Sequence, residues 1–226
     1  MIGVVVPAHN EEALLGRCLQ SLHNAARHSD LQGEPVCIVV VLDACSDASA
    51  QIARQHQVIS LSIAAHNVGR ARRAGAAHAI SLGARWLACT DADSCVAADW
   101  LVQQLQHDAE VVCGTVHLDD WEGYDDAVQR AYHQRYQPGD SHRHIHGANL
   151  GICVEAYKRA GGFPPLRAHE DVRLIESLNE VGARIVWSGS NSVATSARRD
   201  SRARGGFGDY LQQLAQSLEA DRCGQR

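Results

Sequence analysis

The sequence has no excess of basic charge. Its 226 residues carry 21 Lys+Arg against 26 Asp+Glu, a net charge of −5. Broad nucleic-acid binding rests on phosphate neutralisation by basic side chains, so the balance argues against that class. The sequence also lacks a long apolar run. The longest, Val36–Leu42, has strand length, far below the about 18 residues that mark a candidate membrane span. Met1-Ile2-Gly3-Val4 enters an apolar stretch with no basic segment before it, so no secretory signal is expected. The eight cysteines include no CxxC pair, and Cys37, Cys89, Cys113 and Cys153 lie inside apolar runs. Free buried thiols in a reducing, cytoplasmic setting are expected, not a disulfide framework. Repeats and linker-like stretches are absent as well. Hydrophobic residues at 45% and charged residues at 21% are ordinary for a globular chain, which excludes disorder for the bulk of it.

What is present is an alternation. Ile2–Pro7 is a continuous β-branched run, read as a buried strand. Asn10 is placed to cap a helix whose Leu14, Leu15, Cys18, Leu19 and Leu22 follow at helical spacing. Val36–Leu42, Val58–Ile63 and Trp86–Thr90 read as further strands, with helices over Ala48–His56 and Asn67–Leu82 between them. This β-α-β-α-β-α-β order predicts an α/β fold, a mostly parallel sheet with helices on both faces. Ligands of such sheets sit at the carboxyl ends of the strands. Pro7–Asn10, Asp43–Asp47 and Asp91–Asp93 all fall there. The pattern changes after Gly114. A helix is expected over Trp121–Tyr136, a His-rich loop over Pro138–His146 and a strand within Gly147–Glu155. Beyond these, His169–Val181 reads as a helix, Ala183–Trp187 as a strand, Ser196–Gly206 as a basic loop and Asp209–Ala220 as a last helix. One domain is expected over 1–226, with sub-regions at 1–114 and 115–206 and a C-terminal helix and tail at 207–226.

Asp91-Ala92-Asp93 closes the fourth strand. Two carboxylates at i and i+2 on a tight loop can reach one hard divalent cation, which would bridge the diphosphate oxygens of a nucleotide donor. Asp is also common in plain turns; the strand-end position favours the metal. His142, His144 and His146 alternate at period two. Three readings stand for them: a transition-metal site, a solvated loop beside the acceptor, or one His that completes the metal shell of the Asp pair. Trp121 and Tyr124 could stack on a sugar face or pack ordinarily.

Taken in order, these motifs resemble the family 2 glycosyltransferases of the GT-A fold. Pro7-Ala8-His9-Asn10-Glu11-Glu12 resembles the opening P-x-x-N-E, and Val39–Asp47 the second strand with its loop. Asn67-Val68-Gly69 with Arg72 resembles the N-x-G…R segment, and Asp91-Ala92-Asp93 the D-x-D. Gly147-Ala148-Asn149 resembles the acceptor stretch, and Glu170-Asp171 the late E-D. The resemblance implies a transferase that moves a sugar from a nucleotide diphosphate sugar, of UDP or GDP type, to an acceptor hydroxyl with inversion. It implies donor contacts at Pro7, Glu11, Asp43, Arg72 and Asp91, and Mn²⁺ or Mg²⁺ at Asp91 and Asp93. It makes Asp171 the general base and sets Gly147, Asn149 and Glu170 beside the acceptor. Arg198 and Arg199, with Arg202 and Arg204, form a basic cluster that is either a solvated tail or, in a transferase domain, a clamp on the diphosphate as Gly205-Gly206 hinges.

The chain departs from the family pattern at Leu42, where many members carry a first acid before Asp43. It has no Q-x-x-R-W segment, which argues against a processive polymer synthase. Membrane association is expected only through a lipid-like acceptor. Two other classes compete. A nucleotidyltransferase acting on a sugar phosphate needs a glycine-rich basic loop after the first strand, whereas His9-Asn10-Glu11-Glu12 is acidic. A non-catalytic nucleotide- or metal-binding module would use the His tract, against the joint presence of Asp91, Asp93 and Asp171.

Overall fold

The structure, a computed structural model, describes residues 1–199 and 206–224. The first half follows the alternation in the sequence: β1 Ile2–Ala8, α1 Leu15–Ala26, β2 Val36–Asp43, α2 Ser49–Gln55, β3 Ile59–Ile63, α3 Val68–Ser81 and β4 Trp86–Cys89. The second half runs α4 Trp100–Leu105, β5 Val111–His117, α5 Asp126–Arg135, β6 Leu150–Cys153, α6 Val154–Arg159, α7 Glu170–Glu180, β7 Ile185–Ala194 and α8 Phe207–Gly224. The strands form one seven-stranded sheet in the order β3-β2-β1-β4-β6-β5-β7. β6 runs antiparallel to both neighbours, β4 and β5, and the remaining ladders are parallel. This is the mostly parallel α/β sheet expected.

Alternation along β1 distributes side chains to both faces, as the pleat requires. Ile2, Val4, Val6 and Ala8 join Leu15, Leu19 and Leu22 of α1 in one core. Val5 joins Val39 and Val41 of β2, Ala71, Ala76 and Ala79 of α3, and Leu174, Ile175 and Leu178 of α7 in the other. Helix α3 can lie so close because its inner face is small. A Cβ on Gly75 would come within 2.6 Å of Val5 Cγ1. A third cluster, with Tyr124, Val128, Tyr132 and Tyr136 of the α5 region against Leu211 and Leu214 of α8, lies beyond the sheet.

Several elements differ from the sequence expectation: α4 and α6 have no counterpart among the expected elements, and β7 runs to Ala194, beyond the expected Trp187. Asn10 does not cap α1: it sits at φ 54, and its Oδ1 accepts from Ser46 N at 2.8 Å. The helix begins at Leu15, after a turn in which Leu14 and Leu15 N–H bond to the Glu11 carbonyl. Asparagine tolerates the left-handed region, so the residue serves a loop instead of a cap. The expected helix over Trp121–Tyr136 shortens to α5 because Asp125 caps it, accepting from Ala127 N and Val128 N. The strand expected within Gly147–Glu155 is β6, cut short where Cys153 caps α6. β5 is a full strand that spans the expected 114/115 boundary, and its ladder with β7 shifts register between Gly114 and Thr115. Tertiary pairing continues the strand across the change in composition.

Cys18, Cys37, Cys45, Cys89, Cys95, Cys113 and Cys153 are free thiols. Burial pushes Cys89 and Cys113 up to about 12 each, so both remain protonated and inert. Cys223 lies outside the described side chains. Among the described residues, no helix is long and apolar enough to cross a membrane.

Candidate active site

The ends of β1, β2 and β4 open into a cleft of about 740 Å³ whose far wall is formed by the loop before β6, the start of α7 and the start of α8. The loops at the strand ends are tied to one another. Glu12 N donates to Asp47 Oδ2 at 2.9 Å, while Glu12 Oε2 accepts from Ala48 N at 2.8 Å. Glu11 N donates to Ser49 Oγ at 2.9 Å. These exchanges leave the Glu11 carboxylate facing the cleft.

Asp43 ends β2 and organises the next loop. Its Oδ1 accepts from Ala65 N at 2.6 Å and His66 N at 2.9 Å, and its Oδ2 from Asn67 N at 2.7 Å. Burial would raise this carboxyl, but the three backbone donors outweigh it and hold it below the usual carboxylate range. Asn67 then caps α3, accepting from Arg70 N at 2.9 Å. Gly69 has a steric reason: a Cβ there would overlap the Pro164 carbonyl.

Arg72 projects from α3 into the floor of the cleft and is 2% exposed. Its Nη2 meets Asp91 Oδ1 at 2.5 Å and its Nε meets Glu170 Oε1 at 2.9 Å. Burial opposes the charge, but Asp91 and Glu170 outweigh it and raise the guanidinium above its ordinary value. Glu170 is raised by its own burial, partly offset by Arg72. Gly147 is required here because a Cβ would run into the Arg72 guanidinium. Gly147 N in turn donates to Asp171 Oδ2 at 2.7 Å. One buried cation therefore joins the loop after β4 to the start of α7.

Asp93 is the electrostatic focus. Burial pushes it up to about 7, Asp91 and Glu11 add to the rise, and Arg198 opposes it. Arg198 Nη2 lies 3.2 Å from Asp93 Oδ2, and the same guanidinium clasps Glu11 at 2.6 and 2.5 Å. The loop after β4 brings this arginine in. Cys95 pairs with Ala194, and Ser94 Oγ donates to Thr195 Oγ1 at 2.9 Å. The chain after β7 is thereby stitched to the Asp pair.

The wall opposite the strand ends is aromatic. Tyr136 stacks on His144 with centroids 4.1 Å apart. Its hydroxyl accepts from Val116 N at 3.0 Å and donates to His146 Nε2 at 3.0 Å. Burial, with His144 and His142 adding, lowers His146 to about 3, so it is neutral. The rings of His142, His144 and His146 stack in a column at 5.6 and 6.0 Å and do not converge on a point. Among the described residues, no group of three or more His, Cys, Asp or Glu is arranged to hold a metal. His144 and His146 line the cleft, whereas His142 is buried, so the tract is not a solvated loop along its length.

Pro7, Glu11, Asp43, Arg72, Asp91, Asp93, Gly147, Glu170, Asp171 and Arg198 all line this cleft. Two expected residues do not. Asn149 is fully buried in the core. Its Oδ1 accepts from Trp100 Nε1 at 2.9 Å, and its Nδ2 donates to the Thr115 and Asn191 carbonyls at 2.8 Å each. With these bonds made inside the fold, it has no route to an acceptor. Arg199 turns away as well: its Nη2 donates to Gly123 O at 3.0 Å, and its guanidinium lies 4.8 Å over the Tyr124 ring. The same contact engages Tyr124, which packs instead of facing a sugar. Arg202, Arg204 and the Gly205 half of the expected hinge lie outside the described residues. Sequence reasoning missed Arg135, Tyr136, Arg167, Phe207 and Tyr210, which also line the cleft. The one available signal was the Tyr132/Tyr136 spacing at i,i+4, an ordinary helix-face pair.

A family model described as glycosyl transferase family 2 matches residues 3–160. The chain belongs to that family. No curated protein matches the sequence. Solved structures resemble it at low identity. The mannosyltransferase PcManGT from Pyrobaculum calidifontis, in complex with GDP-Man and Mn²⁺, is 19% identical with a TM-score of 0.67 over 89% of this chain. TarS 1-349 from S. aureus, with UDP-GlcNAc, is 14% identical with a TM-score of 0.67 over 95%. Glucosyl-3-phosphoglycerate synthase from Mycobacterium tuberculosis, with Mn²⁺, UDP and phosphoglyceric acid, is 17% identical with a TM-score of 0.60 over 99%. This chain spans 58%, 65% and 78% of those three chains, respectively. The likeness is one of fold.

Proposed function

We propose that the chain is a glycosyltransferase that moves a sugar from a nucleotide diphosphate sugar, of UDP or GDP type, to an acceptor hydroxyl with inversion. The observation that carries this reading is the junction at Arg72, a buried cation that joins Asp91 of the strand-end acids to Glu170, the neighbour of Asp171. The donor would lie along Pro7, Asp43 and Asp91, with its diphosphate towards Asp93 and Arg198.

The residues suit a divalent cation. Asp91 and Asp93 face the cleft two residues apart, Asp93 is lifted to about 7 chiefly by burial and further by Asp91, and two carboxylates fit a hard ion that takes its remaining ligands from phosphate and water. Asp91 and Asp93 would hold Mn²⁺ or Mg²⁺, which when bound neutralises charge on the leaving diphosphate. The chain's own groups do the rest. Arg198 offers a guanidinium to the diphosphate oxygens. Asp171, oriented by the Gly147 N–H, takes the proton of the acceptor hydroxyl as its oxygen bonds to the anomeric carbon and the bond to the diphosphate oxygen breaks. A single attack from the face opposite the leaving group inverts the anomeric centre. Arg72 is a positioning residue: it is 2% exposed and its guanidinium is taken up by Glu170, Asp91 and the Thr90 carbonyl. A reducing, cytoplasmic location is part of the same proposal.

The test is calorimetric titration with UDP and GDP, with and without Mn²⁺, followed by a transfer screen over UDP- and GDP-sugars. Asp93→Ala should weaken Mn²⁺-dependent diphosphate binding at least about tenfold, about 1.4 kcal/mol. Unchanged affinity in the folded variant overturns the metal assignment. Binding of a sugar phosphate with nucleoside triphosphate instead points to nucleotidyl transfer.

A further inference from the structure

Four arginines line the cleft: Arg72, Arg135, Arg167 and Arg198. Arg72 is taken up by Asp91 and Glu170, and Arg198, paired with Glu11 and Asp93, belongs to the proposed diphosphate subsite. Arg135 and Arg167 have no hydrogen-bond or ion-pair partner among the described residues. Both belong to the acceptor side. Arg135 ends α5 directly before Tyr136, and Arg167 lies in the loop that leads into Glu170-Asp171.

The loop bearing Arg167 is anchored. Leu166 O accepts from Gly69 N at 3.0 Å, and Pro165 O accepts from Asn67 Nδ2 at 3.1 Å. The backbone of Arg135 is held by its helix and by the Tyr136 hydroxyl in its bonds to Val116 and His146. Two guanidiniums on fixed backbone thus face a cleft whose acids include Glu11, Asp43, Asp91, Asp93, Glu170 and Asp171. In a chain of net charge −5, such a cleft repels an anion unless local cations counter it. Guanidinium groups match phosphate and carboxylate oxygens bidentately.

We infer that the acceptor is an anionic hydroxyl compound, carrying a phosphate or carboxylate that Arg135 and Arg167 receive while its hydroxyl faces Asp171. This rests on the glycosyltransferase reading and adds the acceptor's chemical class. The anionic group could belong to a soluble phosphate ester or to a lipid headgroup, and the two sources separate by experiment.

The protein, saturated with Mn²⁺ and UDP or GDP so that the diphosphate subsite is filled, is titrated with glycerol 3-phosphate, with neutral glycerol, and with phosphatidylglycerol in phosphatidylcholine vesicles. Glycerol 3-phosphate or the anionic vesicles should bind at least about tenfold more tightly than glycerol or pure phosphatidylcholine, and the preference should weaken with salt. Arg135→Gln with Arg167→Gln should abolish the preference. Preference for the soluble ester identifies a phosphate-bearing metabolite, and preference for the vesicles identifies a headgroup. Equal binding of charged and neutral probes by the wild-type protein overturns the inference, as does a preference that survives in the double variant. The wild-type comparison keeps the test decisive should the double variant fail to fold. Loss of Mn²⁺-dependent nucleotide binding in the wild-type protein sinks the glycosyltransferase reading itself, whereas intact nucleotide binding without anion preference sinks only the acceptor class.

Discussion

The proposed donor side and the proposed acceptor side of the cleft are both lined with charge, but they are assembled differently. On the donor side each group sits at the end of its own strand: Glu11 shortly after β1, Asp43 on β2, Asp91 and Asp93 after β4. Parallel strands bring their carboxyl ends together whatever the intervening helices contain. On the acceptor side the groups come from α5, the His loop, the loop before α7 and the start of α8, which no single periodic pattern unites. The contrast teaches that local motifs suffice for a site built by sheet topology. A site built by packing of irregular segments needs the fold. Arg72 belongs to both sides, which makes it the natural place to break the comparison.

The largest effect is expected at the base. Asp171→Asn keeps the Gly147 contact but cannot take a proton, so transfer should fall by about 10²–10⁴. Donor affinity should stay within about twofold, since 1.4 kcal/mol is the tenfold mark. Initial-rate kinetics with calorimetry checks both, and a parallel loss of donor binding would show that the two sides are not separable. Arg72→Met comes next. It leaves the buried Glu170 without its cation while Asp91 is partly open to the cleft, a change that costs up to about 3–5 kcal/mol. Urea unfolding measures it, and a loss below about 1 kcal/mol, the scale of an exposed pair, would mean that solvent already reaches the network.

Adjacent arginines sharpen the donor side. Arg198→Ala should weaken nucleoside diphosphate binding about tenfold, while Arg199→Ala, which removes only a contact to Gly123 and Tyr124, should leave it within about twofold. Equal effects at both positions would return Arg199 to the cleft.

The smallest expected effect lies on the acceptor side and depends on pH. His146 titrates near 3 in the folded chain against an ordinary value of 6.5. Between those values the unfolded chain binds a proton that the folded chain refuses, so stability falls as pH drops below about 6.5. At pH 5 the loss is about 1–2 kcal/mol. His146→Gln has no such proton, and its unfolding free energy should change less between pH 7 and pH 5. An identical pH dependence in both proteins would place the acid sensitivity elsewhere.

Much of the fold was legible because burial leaves a mark in composition. Ile2–Pro7, Val36–Leu42 and Trp86–Thr90 are apolar on both faces, and only a strand covered by helices on both sides buries such a run. That Asp91 and Asp93 would face the cleft was legible because they follow the carboxyl end of a strand, where such a sheet opens its crevice. Asn10, Asn149 and Arg199 were misjudged for a common reason. Their side chains choose among partners far away in sequence. Asn10 bonds to Ser46, Asn149 to Trp100, Thr115 and Asn191, and Arg199 to Gly123.

The sequence by itself determined the order of strands and helices, the parallel sense of the first four strands and the acids at their ends. Period-two and period-3.6 burial are properties of the chain's own pattern. Only the tertiary structure decided that β6 inserts antiparallel between β4 and β5, and that Arg72 lies sealed between two acids. It also decided that Arg135 and Arg167 reach the cleft without partners while Asn149 does not reach it at all. The physical reason is that polar side chains are placed by which donors and acceptors remain unmatched once the core has closed, and that count exists only in three dimensions.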